Sequence, residues 1–420
     1  MYLVQKNHLR GLPKREYQLL HQLTLLSKNL YNYTLYTVRQ YFFAKGAFLQ
    51  YEQAYYHVKE NENYRMLPSQ VAQQTMKVVT RSMRSFFGLL RARKKGNYPH
   101  PIRLPHYLPK DGFFVCIFPK DMFKVEGETL RLSLGRYFAN EHGRRYLYFK
   151  VPPHVVGKPI KEVRLLPRYQ GRYFEIEYVY TVGPETPELD PTKYLGIDLG
   201  LNNFATCVST DGTAFILEGK GIKSYNRWWN KQKARLRSVY DKQGVKFGRK
   251  MAWLLHKRQQ VVNNFMAQAV HWILQECLTH QIGTVVIGEL KAIKQHLNLG
   301  KKTNQHFQYI PFGVFKKKLR AKCEYYGITV LEVEEAYTSQ TCSACGVREK
   351  KNRKYRGFYA CRTCGIVRNA DVNGAINILQ VASESIRIGG SGRVNRPGRI
   401  RLPTVVGQHP SPEAPSGRAG

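Results

Sequence analysis

Two sets of residues in this chain have the types and spacing to do chemistry. The first is Cys342-x2-Cys345, fifteen intervening residues, then Cys361-x2-Cys364, with a glycine after each pair (Gly346, Gly365). Two thiolates separated by two residues can turn toward one ion, and the glycine lets the tight knuckle form. Two knuckles complete a tetrahedral Zn2+ site. The competing use of the same thiols is a pair of disulfides, and the absence of a secretory signal favours zinc. Four protein ligands leave no open position, so this zinc is structural and any reaction is carried elsewhere. The other cysteines, Cys116, Cys207, Cys277 and Cys323, stand in apolar neighbourhoods and read as reduced core thiols.

The second set is acidic. Asp198 emerges from Leu195-Gly196-Ile197 and precedes Leu199-Gly200, and Glu289 follows Val285-Val286-Ile287-Gly288 in the same manner. Asp371 opens the segment Asp371-Val372-Asn373-Gly374-Ala375-Ile376-Asn377. Such carboxylates are conspicuous because the chain holds only 29 acids against 67 Lys plus Arg, a net charge of +38. Two acids from strands and one from a helix, if they converge, bind a pair of hard cations, Mg2+ or Mn2+. Two such ions about 4 Å apart activate water and stabilise the leaving oxygen in phosphodiester hydrolysis. Each acid also has an ordinary use: Asp198 as a turn residue, Glu289 as a solvated strand end, Asp371 as a helix cap favoured by the dipole.

The elements that must position these residues follow from periodicity. From Lys193 the pattern is strand, hairpin (turn at Asp211-Gly212), helices, a buried strand Thr284 to Gly288, and a helix from Phe312 to Tyr326. A strand from Thr329 to Val333 leads into the cysteine module, and a last helix begins near Ala370. Residues 220–258 hold thirteen basic residues and one acid, Asp241, and read as mainly helical, with helix continuing toward Leu278.

Residues 14–95 are helical as well. Leu19, Leu23, Leu26, Leu30 and Tyr33 form one stripe. After the breaker Leu67-Pro68-Ser69, with Ser69 as cap, Ala72, Met76, Val79, Met83, Phe86 and Leu90 form another. The polar side of that second helix carries Gln70, Gln73, Gln74, Lys77, Arg81 and Arg84, a mixture able to reach base edges and phosphates. Residues 97–190 are punctuated by prolines between short strands, as in a small barrel or sandwich, and Pro184 to Pro191 reads as a linker. Residues 381–420 contain seven Gly and five Pro and read as a disordered basic tail.

Composition narrows the partners. With 43% apolar residues the chain builds real cores, which excludes global disorder, and no run of eighteen apolar residues occurs to span a membrane. A surplus of +38 spread over the whole length calls for a polyanion, and nucleic acid fits better than a lipid surface. The 28 Tyr, 20 Phe and 4 Trp, many beside Arg or Lys, suit stacking on unpaired bases. No small-molecule substrate is indicated, and the expected location is cytoplasmic, at the nucleoid.

Taken jointly, the motifs resemble the TnpB family, insertion-sequence-encoded RNA-guided endonucleases related to compact type V CRISPR effectors. The resemblance rests on Gly196-Ile197-Asp198-Leu199-Gly200, Val285-Val286-Ile287-Gly288-Glu289, Tyr337-Thr338-Ser339-Gln340-Thr341-Cys342-Ser343-Ala344-Cys345-Gly346, and Asp371-Val372-Asn373-Gly374-Ala375-Ile376-Asn377. It implies an α+β multidomain protein: a RuvC-type, RNase H-like nuclease domain over 191–336 and 366–380, with a zinc ribbon over 337–365. A wedge-like β-barrel over 1–13 and 97–190 and a helical recognition domain over 14–96 complete it. It implies Asp198, Glu289 and Asp371 as catalytic Mg2+ ligands, and a guide RNA that pairs with double-stranded target DNA beside a short adjacent motif. Gln70, Gln74, Lys77 and Arg81 are the nucleic-acid-binding candidates.

Two departures bear on the site. Asn369-Ala370 stands where the family often has Asp-Arg, and Glu334 and Glu335 are alternative second acids. Two rival readings remain at this level: a nuclease-inactive RNA-guided regulator, and a transposase that joins strands with a similar acid triad.

Overall fold

The computed structural model of the chain describes residues 1–289, 309–334, 337–355, 357–382, 394 and 396–404. They divide into two compact units, Met1–Gly183 and Pro184–Gly420. No helix among the described residues is long and apolar enough to cross a membrane.

In the first unit, β1 (Tyr2–Leu9) is followed by the helices α1 (Lys14–Lys45), α2 (Tyr51–Val58), α3 (Glu62–Met66) and α4 (Ser69–Lys94). Then come β2 (Cys116–Pro119), β3 (Phe123–Glu126), β4 (Thr129–Ser133), α5 (Arg136–His142), β5 (Tyr146–Lys150), β6 (Ile160–Arg168) and β7 (Tyr173–Thr181). β1 pairs antiparallel with β7 from Tyr2↔Thr181 to Leu9↔Phe174, so the helices are an insertion between neighbouring strands of one sheet.

The strands do not close into the expected barrel. They form two open antiparallel sheets, of orders β1-β7-β6-β2 and β3-β4-β5, in which β1 and β2 pair on one side only. β2 is four residues long and ends at Pro119, which has no N–H to extend a ladder, and this keeps its edge open. Leu19, Leu23, Leu26 and Leu30 pack into the core as the stripe predicts, but Tyr33 is exposed and the drift of the helix passes the stripe to Leu35 and Val38. Ser69 is the first helical residue rather than the cap, a position held by Pro68.

In the second unit, β8 (Asp190–Leu199), β9 (Asn203–Ser209) and β10 (Ala214–Glu218) form an antiparallel meander. Next are α6 (Lys220–Lys242), α7 (Arg249–Thr279), β11 (Ile282–Glu289), α8 (Phe312–Tyr325) and β12 (Thr329–Glu334). The ribbon strands β13 (Arg353–Tyr355), β14 (Phe358–Ala360) and β15 (Val367–Arg368) precede α9 (Ala370–Ala382) and β16 (Gly398–Ile400). β11 runs parallel to both β8 and β12, giving the six-stranded order β12-β11-β8-β9-β10-β16. The basic helical stretch is two helices, because the chain turns at Gly244, which has φ +64°, and restarts after Gly248.

Part of the tail is ordered, contrary to expectation. Gly398–Ile400 pairs in parallel with Phe215–Leu217, and Val394 and Leu402 are buried. An open edge of β10 supplies the backbone partners that the tail's own sequence lacks. The remainder of 381–420 beyond Ala382, apart from 394 and 396–404, lies outside the described residues.

The two faces of the sheet have different partners. Leu195, Ile197, Val285 and Ile287 join the core built with α7 and α8, whereas Val286 and Val208 pack with Val372, Ile376 and Leu379 of α9. Cys116, Cys207, Cys277 and Cys323 are all buried, and burial pushes every one of these thiols up, Cys116 and Cys323 to about 12. They stay protonated and inert.

Candidate metal centre

The four spaced cysteines come together. Their sulfurs all lie within 4.8 Å of one another, with Cys342 to Cys364 at 3.7 Å and Cys345 to Cys361 at 3.6 Å. The two knuckles are built alike. Cys342 N donates to Val347 O and Gly346 N to Cys342 O; Cys361 N donates to Ile366 O and Gly365 N to Cys361 O, at 2.9 to 3.1 Å. Both glycines take the left-handed conformation, φ +74° and +72°, that such a turn requires. Burial raises the Cys361 thiol, but amide hydrogen bonds from Cys364 and Thr363 and the thiols of Cys345 and Cys364 outweigh it and bring it to about 6. Buried Asn352 donates to the Cys361 sulfur at 3.6 Å and accepts from Arg362 N. An all-sulfur set with this spacing could hold one Zn2+ and leaves no position for substrate.

The acids are set by β8, β11 and α9. Asp198 is on the face of β8 turned toward α9, in phase with Gly196. Both positions need close approach. A Cβ at Gly196 would stand 2.6 Å from Ala375 O, and a Cβ at Gly374 would stand 2.9 Å from Asp198 Oδ2. Asp371 lies three residues before Gly374, one helical turn away on the same side of α9.

Asp371 is held on both oxygens: Asn203 Nδ2 donates to Oδ2 at 2.6 Å, and Arg353 Nη2 lies 3.4 Å from Oδ1. Asn369 caps α9, its Oδ1 accepting from the amides of Asp371 at 2.9 Å and Val372 at 3.3 Å. The residue that replaces an acid in the motif thus fixes the start of the helix that carries Asp371. Sequence reasoning gave no signal for Asn203, Arg353 or Gly374 as neighbours of these acids, since each is remote in primary order from the group it touches.

Glu289 is the last residue of β11 and is half-buried; its register partner on β12 is Glu334, which is exposed. Along β11 it falls in phase with Val285 and Ile287, which face away from α9. The structure therefore brings Asp198 and Asp371 to one helix, while the oxygens of all three acids do not gather within 4.8 Å as the thiols do. Glu335 lies outside the described residues.

In the first unit, Gln70, Gln74 and Lys77 are half-buried and Arg81 exposed along α4, and the Lys77 ammonium sits 5.1 Å from the centre of the Tyr51 ring.

Two segments of the chain match known protein families. Residues 177–294 match the OrfB_IS605 family, described as "Probable transposase", and residues 312–378 match the TNB domain of Cas12f1-like proteins. The chain is 29% identical over 230 residues to the CRISPR-associated endodeoxyribonuclease Cas12f1 of Sulfoacidibacillus thermotolerans, covering 51% of this chain and 52% of that one. It thus spans about half the length of that relative. It is 26% identical over 404 residues to the TnpB-like protein ORF457 of Acidianus two-tailed virus, covering 86% of this chain and 83% of that protein. Among solved structures, the cryo-EM structure of the Cas12f1-sgRNA-target DNA complex is similar with a TM-score of 0.61 at 16% identity, over 87% of this chain and 83% of that one. At such identity this likeness speaks for the fold alone. The chain is thus similar to TnpB-like proteins: one family match spans the two strand acids, Asp198 and Glu289, and the other spans the four-cysteine module together with Asp371.

Proposed function

We propose that this protein is an RNA-guided DNA endonuclease that hydrolyses target DNA in a RuvC-type, RNase H-like site. The observation that carries the reading is the packing of α9 on β8, where Gly374 meets the Asp198 carboxylate one turn from Asp371. The strand order, with a meander β10-β9-β8 continued by parallel β11 and β12, supports the RNase H-like assignment. Asp198 and Asp371 would hold the cations, and Glu289, the last residue of β11, would complete the set. When bound, Mg2+ or Mn2+ supplies an activated water and a stabilised leaving oxygen. Asn203 and Arg353 hold the Asp371 carboxylate in one orientation. The thiols would hold a structural Zn2+. The charge of +38 suits a chain that must neutralise both a structured guide RNA and duplex DNA, with Gln70, Gln74, Lys77 and Arg81 on α4 as contacts.

The test is to sequence the RNA that co-purifies with the protein, then offer DNA matching its variable 3′ end with Mg2+ or with chelator. The proposal expects one structured RNA species and cleavage only with Mg2+. Random cellular RNA, or no cleavage of matched DNA, would count against it. The family description "Probable transposase" favours a second reading, strand joining. Joining of transposon-end DNA to a target by the protein alone would establish it.

A further inference from the structure

We infer that Asn373, Asn377 and Gln380 are positioning residues that couple zinc occupancy of the ribbon to divalent-cation binding at Asp371; this rests on the metal-ligand role proposed above.

The three residues fall at i, i+4 and i+7 on α9, so they share one face. Val372, Ala375, Ile376 and Leu379 pack that helix on the sheet. The amide row instead grips a single stretch of backbone. Asn373 Oδ1 accepts from Ser343 N at 3.0 Å, and its Nδ2 donates to Thr341 O at 2.8 Å. Asn377 Nδ2 donates to Thr338 O at 2.6 Å and to Thr341 O at 2.8 Å. Gln380 Nε2 donates to Ser343 O at 3.1 Å. These backbone partners all lie in residues 338–343, the run that contains the first zinc ligand, Cys342.

Asn373 is fully buried and Asn377 is 5% exposed. Buried amides cost free energy unless their hydrogen bonds are made, whereas leucine would bury the same surface without that demand. What the amides add is a fixed position of the knuckle on the helix. The other half of the ribbon meets the start of the same helix. Ala370 N donates to Gly357 O at 3.3 Å, and Arg353 on β13 pairs with Asp371.

Each arm of the ribbon is therefore attached to α9, and the thiols are where zinc would tie the arms together. With zinc bound, knuckle, hairpin and helix form one closed unit, and the Asp371 carboxylate has one position. Without zinc, the arms lose their common ligand, and Asp371 keeps the Asn203 hydrogen bond and the sheet contacts of α9 but not a fixed Arg353. Groups that orient a ligand change metal affinity without touching the metal.

The experiment titrates Mn2+ by electron paramagnetic resonance into the full-length protein, zinc-loaded or stripped of zinc by a chelator that is then removed. Asp198→Ala, which should lose the bound-Mn2+ signal throughout, identifies the site. In the unaltered chain, stripping zinc should weaken Mn2+ binding about 10-fold. Asn373→Ala/Asn377→Ala should retain zinc yet show that weakening already, with little further change on stripping, because the two perturbations break one connection. Gln380→Ala, at a half-buried position, should give a smaller loss and serves if the double variant fails to fold. Mn2+ affinity indifferent to zinc in the unaltered chain, or losses from stripping and substitution that simply add, would overturn the coupling. If the zinc-loaded unaltered chain binds no Mn2+, the metal-ligand reading fails, and the coupling falls with it.

Discussion

Gly196 on β8 lies so close beneath Ala375 on α9 that a Cβ there would sit 2.6 Å from the Ala375 carbonyl oxygen and 2.5 Å from Leu379 Cγ. The backbone oxygen cannot swing aside, so the helix itself must lift. Gly196→Ala should cost roughly 1–3 kcal/mol, the range for overpacking a tight core. It should also displace Asp371 relative to Asp198. Denaturant unfolding and a cleavage assay check this; an unchanged midpoint with full cleavage would contradict it.

Glu289 and Glu334 are register partners at the ends of adjacent parallel strands, and only one is proposed to serve the metals. Glu289→Ala should lower cleavage on the order of 100-fold, the scale of misplacing reacting groups. Glu334→Ala, at an exposed position, should leave it near the unaltered rate. Single-turnover kinetics of the two variants decide the assignment, and the reverse ranking would move the second acid to β12.

The strand Gly398–Ile400 and the buried residues beside it should matter to stability. Val394 and Leu402 are buried and Gly398–Ile400 covers the edge of β10. The reference is a chain ending after Thr404. One ending after Ala382 should lose roughly 3 kcal/mol or more, the burial of two aliphatic side chains. Equal midpoints for both would show that the strand contributes nothing.

Zinc removal should loosen the ribbon and leave the sheet. Hydrogen exchange should show the amides of Cys342, Gly346, Cys361 and Gly365 losing protection on chelation, while those of Val285 to Ile287 keep theirs. Structural zinc supplies folding free energy where a small module has little core of its own, and here that core is Cys342, Tyr359, Cys361 and Ala370. Unaltered protection at the knuckles would contradict a zinc role.

Much of this was readable from residues alone, for physical reasons that also mark where reading stops. Strands buried on both faces appear as unbroken apolar runs, so Thr284 to Gly288 reads as a strand and forms the middle of β11. Thiol and carboxylate spacings survive as motifs because a knuckle or a helix start is local. Sheet closure is not local, and the open orders of the first unit could not be inferred from a count of short strands. Gly398-Arg399-Ile400 carries no strand signal and is ordered by a neighbour's edge. The phase of Glu289 along β11, set by which core Val285 and Ile287 enter, likewise needed the packing of α7 and α8.

The most direct test of the account compares the unaltered chain with Asp198→Ala, each assembled with guide RNA and presented with matched DNA and Mg2+. The account predicts that the variant binds RNA and target as tightly as the unaltered protein and makes no cut. Cleavage at an undiminished rate by Asp198→Ala would contradict it.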